Sequence, residues 1–342
     1  MRSWISLFLL LSFAAGVAAC SGEEPAAGRD AGANDAERFS FFVASFKSLQ
    51  ALSGNEAGFG GDLRYGETGA GAGLRGADKI CSEIAEISMP GASKKRWRAF
   101  LSAVEGENGE QVNAIDRIGE GPWYDRLGRV FALKKADLFQ DRPNGIDVAI
   151  AHDFTNEEGI PNQKPDPNQP SVDNHDILTG TNDKGQLYSS TATCKDWTSA
   201  LGDPATEGRP RVGHSWDRMA DDLLVEPQRG MKMLADGGVG VITDDQADGG
   251  PGFHTERSDG DTMFGSVDGG MPPMGVHTKG PIMIGGPGEA GHGSGQHWMS
   301  TLDEAGCAPG ANLIQDGPPK LANPTVGSGG GYGGIYCFAS AP

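Results

Sequence analysis

Apolar positions fall in short stretches separated by polar segments rich in glycine and proline, a pattern that predicts short elements rather than long helices. Trp4 to Val17 is an apolar run behind Arg2, too short to span a bilayer comfortably, and reads as an export leader. Residues 21–37 are small, polar and charged and are expected to form a flexible tether. Phe39, Phe41, Phe42, Val43, Phe46 and Leu49 make a short helix-like apolar segment, expected to pack on the domain or to sit near a membrane. Residues 53–76 return to glycine-rich loop. Ile80, Cys81, Ile84, Ala85 and Ile87 share one face of a helix expected to begin near Ala77, with Asp78 in its first turn, and to stop at Pro90-Gly91. The alternation from Trp97 to Ser102 predicts a strand with both faces partly buried. Val112, Ile115 and Ile118 predict a helical turn. Trp123 to Leu133 reads as a hairpin turning at Asp125-Arg126-Leu127-Gly128.

Residues 155–176 are polar and proline-rich, which predicts a surface excursion. Ile177-Leu178-Thr179-Gly180 starts a short strand, followed by the turn Asn182-Asp183-Lys184-Gly185. Cys194-Lys195-Asp196-Trp197 opens the next element and His214-Ser215-Trp216 closes it. Residues 217–296 hold 19 glycines, 13 acidic and 5 basic side chains. No sustained period runs through them, and a loosely ordered insertion is expected there. Regular structure should return at His297-Trp298-Met299 and end in a final strand over Gly333-Gly334-Ile335-Tyr336-Cys337-Phe338.

Charge narrows the functional choices. The chain has 46 acidic against 28 basic residues, a net charge of -18. Such a surface is a poor partner for nucleic acid, which needs clustered Lys and Arg, and for anionic membranes or sulfated glycans. With 54 glycines and 21 prolines, much of the chain must be loop.

Val17-Ala18-Ala19-Cys20 resembles the lipobox of bacterial lipoproteins. The resemblance implies that residues 1–19 are removed and that Cys20 is lipidated, tethering a soluble domain to the cell envelope through acyl chains. Ser21, rather than an aspartate, follows Cys20, which in that family favours the outer membrane. About 320 residues remain, enough for one large domain or two small ones. Export takes the chain away from cofactor-dependent cytosolic chemistry, and no cofactor is expected. The other four cysteines, Cys81, Cys194, Cys307 and Cys337, form no C-x-x-C pair, and their even number in an exported chain suggests two disulfides. Three pairings are possible from spacing alone.

A wider resemblance rests on several motifs in order: Gly76-Ala77-Asp78-Lys79-Ile80-Cys81, Arg98-Ala99-Phe100-Leu101-Ser102, Trp123-Tyr124-Asp125, Thr179-Gly180-Thr181-Asn182, Thr193-Cys194-Lys195-Asp196-Trp197 and Ile335-Tyr336-Cys337-Phe338. Together they resemble the endostatin-type domain of some collagens and bacterial lipoproteins with the same module, within the C-type lectin-like fold. The resemblance covers residues 76–216 and 297–340. It implies an α+β, endostatin-like domain with a long Gly-rich insertion, and nested disulfides Cys81–Cys337 and Cys194–Cys307. The expected organisation is a leader over 1–19, a tether and short apolar segment over 20–58, and a lectin-like domain over 59–342 with the insertion at about 217–296. The calcium-binding triplets of sugar-binding lectins are absent, as is a match to endostatin's N-terminal zinc histidines, and its heparin-binding arginine surface is not expected on so acidic a chain.

Candidate chemistry is sparse. His152-Asp153 and Asp173-Asn174-His175-Asp176 could hold a metal or do acid/base work, but in predicted loops they read as solvated turn residues. His214, Trp216, His297 and Trp298 flank the insertion and could line a pocket or simply pack where the insertion leaves the fold. Asp244, Asp245, Asp248, Asp259 and Asp261 match no calcium loop. There is no Gly-x-Ser-x-Gly elbow, no H-E-x-x-H, and no phosphate loop in Gly327-Ser328-Gly329-Gly330-Gly331, read as a flexible approach to the last strand. No metal site is therefore expected. The chain is expected to be a non-enzymatic binding module for an unidentified protein or glycan. The alternatives are an oxidase of the formylglycine-generating type, which needs a reactive cysteine, and a structural envelope protein.

Overall fold

The computed structural model describes residues 38–163, 165, 174–216, 231–233, 239–241, 297–313 and 319–340. Cys20, Asp173 and the acidic positions 244–261 lie outside them, as does most of the expected insertion. In chain order the strands are β1 (Phe41–Val43), β2 (Arg96–Ala99), β3 (Trp123–Tyr124), β4 (Val130–Ala132), β5 (Asp176–Leu178), β6 (Arg211–His214), β7 (Met231–Met233), β8 (Val239–Val241), β9 (Leu302–Asp303) and β10 (Gly331–Ser340). The helices are α1 (Phe46–Ser53), α2 (Ala72–Ser88), α3 (Ala114–Arg117) and α4 (Pro204–Glu207). This is an α+β arrangement. Among the described residues no helix is long and apolar enough to cross a membrane.

β10 organises the molecule. It pairs antiparallel with β1 and β2 and parallel with β5, and β5 continues through β6 to β9. Its side chains alternate between two cores, as a strand must. Ile335, Cys337 and Ala339 join Leu63, Ile80, Ile84, Trp97 and Trp197. Tyr336 and Phe338 join Phe41, Phe100, Trp123, Phe131, Phe154 and Trp298. Both faces of β10 are thus buried, with α2 covering the first.

The segment Phe39–Leu49, expected to be helix-like and to pack on the domain or sit near a membrane, packs into the core, and its first part is a strand of this sheet. β1 pairs Phe42 with Cys337, and only Phe46 onward is helical. Sheet structure is therefore already present at Phe41, ahead of the expected domain start at position 59, because three consecutive buried apolar residues in a strand covered on both faces look the same as a helical run.

α2 begins at Ala72, not near Ala77. Its first turns carry Gly73 and Gly76, whose weak helix propensity hides the start. A Cβ at Gly76 would lie 2.1 Å from the Leu63 and Arg64 carbonyl oxygens, so glycine is needed for this close approach. Asp78 is consequently mid-helix. Its Oδ1 accepts from the Ala99 backbone N–H (2.9 Å) and from Arg117 Nη2 (2.7 Å), and its Oδ2 accepts from Arg98 Nη1 (2.8 Å). One carboxylate thus ties α2 to β2 and α3.

Both disulfides are present, Cys81–Cys337 and Cys194–Cys307, with Cα–Cα separations of 5.5 and 5.7 Å. The first staples α2 to β10. At the second, Cys194, Lys195, Asp196 and Trp197 form a left-handed turn with φ between 48° and 63°. This region costs L-residues about 1–2 kcal/mol each, and its surroundings hold it. Trp197 is buried and donates to the Ser102 carbonyl at 2.7 Å. Asp196 accepts from the backbone N–H groups of Val104 and Glu105.

Glu207 closes the same corner, accepting from Ser199 Oγ, from Lys195 Nζ at 2.9 Å and from Thr206 Oγ1 at 2.9 Å. These bonds, led by Ser199 and then Lys195, pull its pKa down to about 2. A depressed carboxylate pKa stabilises the fold above the ordinary value of 4.5, and that contribution is lost as pH falls towards 2. Glu207→Gln should therefore lower the thermal midpoint at pH 7, with the difference shrinking below pH 4.5 and vanishing near pH 2. A pH-independent difference in a melting series would contradict this assignment.

Candidate functional site

His175 immediately precedes β5, Asp176 opens it, and His214 closes β6. The antiparallel register sets Asp176 opposite His214, and opposed residues share a face of the sheet. Asp176 Oδ1 lies 3.0 Å from His214 Nε2 and 3.5 Å from His175 Nε2. The two imidazole rings are edge-to-face with centroids 4.5 Å apart, and Trp216 packs on His175 at 5.3 Å. All of these side chains are buried.

Glu304, the residue after β9, is buried as well. Its Oε2 accepts from Ser328 Oγ and from the Gly329 N–H. The glycine run places backbone over the cluster. A Cβ at Gly329 would lie 2.7 Å from Asp176 Oδ2 and 3.4 Å from Glu304 Oε1, and one at Gly330 would lie 2.5 Å from His175 Cε1. Only glycine can close so tightly here, so Gly329 and Gly330 serve as a cover and not merely as a flexible approach to the last strand.

Asp176, His214 and Glu304 are each shifted, and His175 contributes to the first two shifts. Burial pushes Asp176 up, but His175 and His214 outweigh it and hold the carboxyl below its usual range. Burial, followed by the neighbouring His175, lowers His214 to about 4. Burial and the Asp176 charge push Glu304 well above the usual carboxylate range. The site therefore sets a neutral imidazole and an ionised carboxylate beside a carboxyl that favours its protonated form. Such a set can share a proton or hold a cation. Ligand atoms of His175, Asp176 and His214 all lie within 4.8 Å of one another.

This corrects the solvated-turn reading of Asn174-His175-Asp176. All three are buried, and Asn174 and Asn162 exchange amide-to-carbonyl hydrogen bonds at 2.9 and 3.1 Å. His152 is exposed and Asp153 half-buried, with Asp153 accepting from the Gln163 N–H at 2.9 Å. Of the four residues expected near the base of the insertion, His214 and Trp216 belong to the cluster. His297 is buried, its carbonyl accepts from the His214 N–H, and its Nδ1 accepts from the Met299 N–H at 3.1 Å. Trp298 faces elsewhere. It donates to the Leu138 carbonyl at 2.9 Å and packs among Phe100, Phe131 and Tyr336, so it is core and not a pocket wall. Glu304 has no sequence motif around it. The one available signal for His175 and Asp176 is that they abut the buried run Ile177-Leu178.

A separate cleft of about 510 Å³ lies between α1 and residues 156–162 with Pro165. Phe46, Ile87, Ile160 and Leu313 supply apolar walls, and Asn156, Glu157 and Asn162 supply polar groups. The Glu157 carboxylate is engaged by the Ser45 backbone N–H (3.0 Å) and by Ser45 Oγ (2.6 Å). Compared with known proteins, the chain matches no family model and no curated protein.

Proposed function

We propose that this chain is a lipid-anchored binding module of the bacterial cell envelope, held at the outer membrane through Cys20 and without catalytic activity of its own. The observation that carries the reading is the state of the cysteines. The four cysteines among the described residues are all paired in disulfides, as suits an exported domain. They leave no thiol there for an oxidase of the formylglycine-generating type. The nested pairing agrees with that implied by the resemblance to endostatin-like and other C-type lectin-like domains. The cleft beside α1, with apolar walls and a few polar groups, has the composition of a ligand site, and a protein or glycan is the class of partner we propose.

The test has two arms. The full chain, expressed in a Gram-negative host fed an alkyne fatty acid, should acquire label that Cys20→Ala loses. The chain starting at Ser21 should bind members of a glycan and matrix-protein array. Absence of label would remove the lipid anchor, and absence of binding with and without calcium would favour a structural envelope role.

A further inference from the structure

We propose that His175, Asp176, His214 and Glu304 form a closed binding site for a single divalent transition-metal ion of the zinc class. The inference goes beyond the binding-module reading and stands without it. Zinc in structural sites takes four N, O or S ligands in a tetrahedron at about 2.0–2.2 Å, which puts neighbouring ligand atoms about 3.3 Å apart. The two distances from Asp176 Oδ1, 3.0 Å to His214 Nε2 and 3.5 Å to His175 Nε2, straddle that edge length.

Two further observations point to a ligand. Asp176 Oδ2 and Glu304 Oε1 are fully buried and, among the described residues, meet no backbone N–H or hydroxyl donor, so only a proton shared between the two carboxyls or a cation can satisfy them. Buried acceptors without donors are costly and rare. The position of a Gly329 Cβ is close to both of these oxygens and to the Pro319 side chain, so both carboxylates border one small space beneath the glycine run. The donor set is also balanced. Asp176 and two neutral imidazoles form the set whose ligand atoms lie within 4.8 Å of one another, and Glu304, which borders Asp176, adds the second negative charge and would move in as the fourth ligand. Imidazole with carboxylate suits zinc, iron(II) or manganese(II) better than calcium, which takes six to eight oxygens. With every ligand buried and supplied by the protein, the site has the character of a structural centre. It would join β5, β6, the β9 end and the glycine run before β10.

The full chain should be purified without chelator and its metal content read by mass spectrometry, with about one zinc per chain expected. After chelation, zinc alone should raise the thermal midpoint. Cobalt(II) alone should give the intense visible bands of tetrahedral coordination. His214→Gln and Asp176→Asn should each abolish the cobalt bands and reduce retained zinc at least tenfold. Glu304→Gln should keep a metal but shift the bands. Near-ultraviolet circular dichroism and a thiol titration identify variants that keep the fold and both disulfides. Should the variants not fold, the wild-type zinc content and chelator-dependent midpoint decide. Folded wild-type chain that takes up neither zinc, cobalt, iron(II) nor manganese would overturn the site. Undiminished metal binding by folded His214→Gln and Asp176→Asn would overturn the ligand assignment.

Discussion

Replacing Cys81 and Cys337 together by serine should lower the unfolding free energy by about 2–5 kcal/mol. The bridge spans 256 residues, and loop-entropy reasoning places so long a closure near the top of that range, at about 5 kcal/mol. Both sulfurs lie in the α2 side of the core beside Ile80, Ile84 and Trp97, so serine there would also bury hydroxyls in an apolar site. The Cys194–Cys307 bridge closes a shorter span of 113 residues, yet the logarithmic dependence on length makes the loss of the two bridges differ by less than about 1 kcal/mol in this respect. The second bridge has a further task, because Cys194 lies in the left-handed turn. Its loss should let that turn relax and should raise hydrogen exchange at Val104 and Glu105, whose amides donate to Asp196. Urea denaturation of both double variants provides the check. An unchanged midpoint for the Cys81/Cys337 variant would show that the sheet and α2 hold the chain ends together without the bridge.

Asp78→Ala should cost about 3–5 kcal/mol, as expected when one partner is removed from a buried ion pair. Arg117 is nine-tenths buried at its side chain and lies 2.7 Å from Asp78. Burial pushes the Arg117 guanidinium towards its neutral form and Asp78 opposes that. Without the carboxylate, a buried cation would lose its counter-charge, keeping only the Ala99 and Leu74 carbonyls, and the Ala99 N–H would lose its acceptor. Adding Arg117→Met removes the stranded charge and should recover part of the loss, since an apolar replacement of a whole buried pair is often nearly neutral. Arg98→Ala should cost far less, because that guanidinium is one-third exposed and exposed pairs contribute about 0–1 kcal/mol. If Asp78→Ala proved as mild as Arg98→Ala in urea titrations, the clamp between α2, β2 and α3 would not contribute as its geometry requires.

The elements legible in the sequence were those whose apolar pattern has a single period. The face Ile80, Cys81, Ile84 and Ala85 lies buried in α2, the hairpin at Trp123 to Leu133 forms around its Asp125–Gly128 turn, and the last strand over Ile335–Phe338 is in place. β1 was not legible, because burial on both faces erases alternation. The start of α2 was not legible either. Gly73 and Gly76 lower helix propensity, and the reason for them is the backbone of residues 63–64 and 196–197 pressing on the helix. The candidate site was the least visible. Its members come from residues 175–176, 214 and 304, and polar residues in a proline-rich stretch look solvated until a sheet register buries them.

The sequence by itself determined a cysteine set suited to two disulfides, an acidic and loop-rich chain, and the one-sided helix and closing strand that anchor the core. These follow from composition and from local periodicity, which depend only on neighbours along the chain. Tertiary structure decided that Phe41–Val43 and Asp176–Leu178 flank β10 in one sheet. It also decided that Asp78 clamps three elements and that His175, Asp176, His214 and Glu304 meet beneath two glycines. Those outcomes depend on pairing register and burial between segments up to nearly three hundred residues apart, and no local pattern encodes which distant partner removes a polar side chain from water.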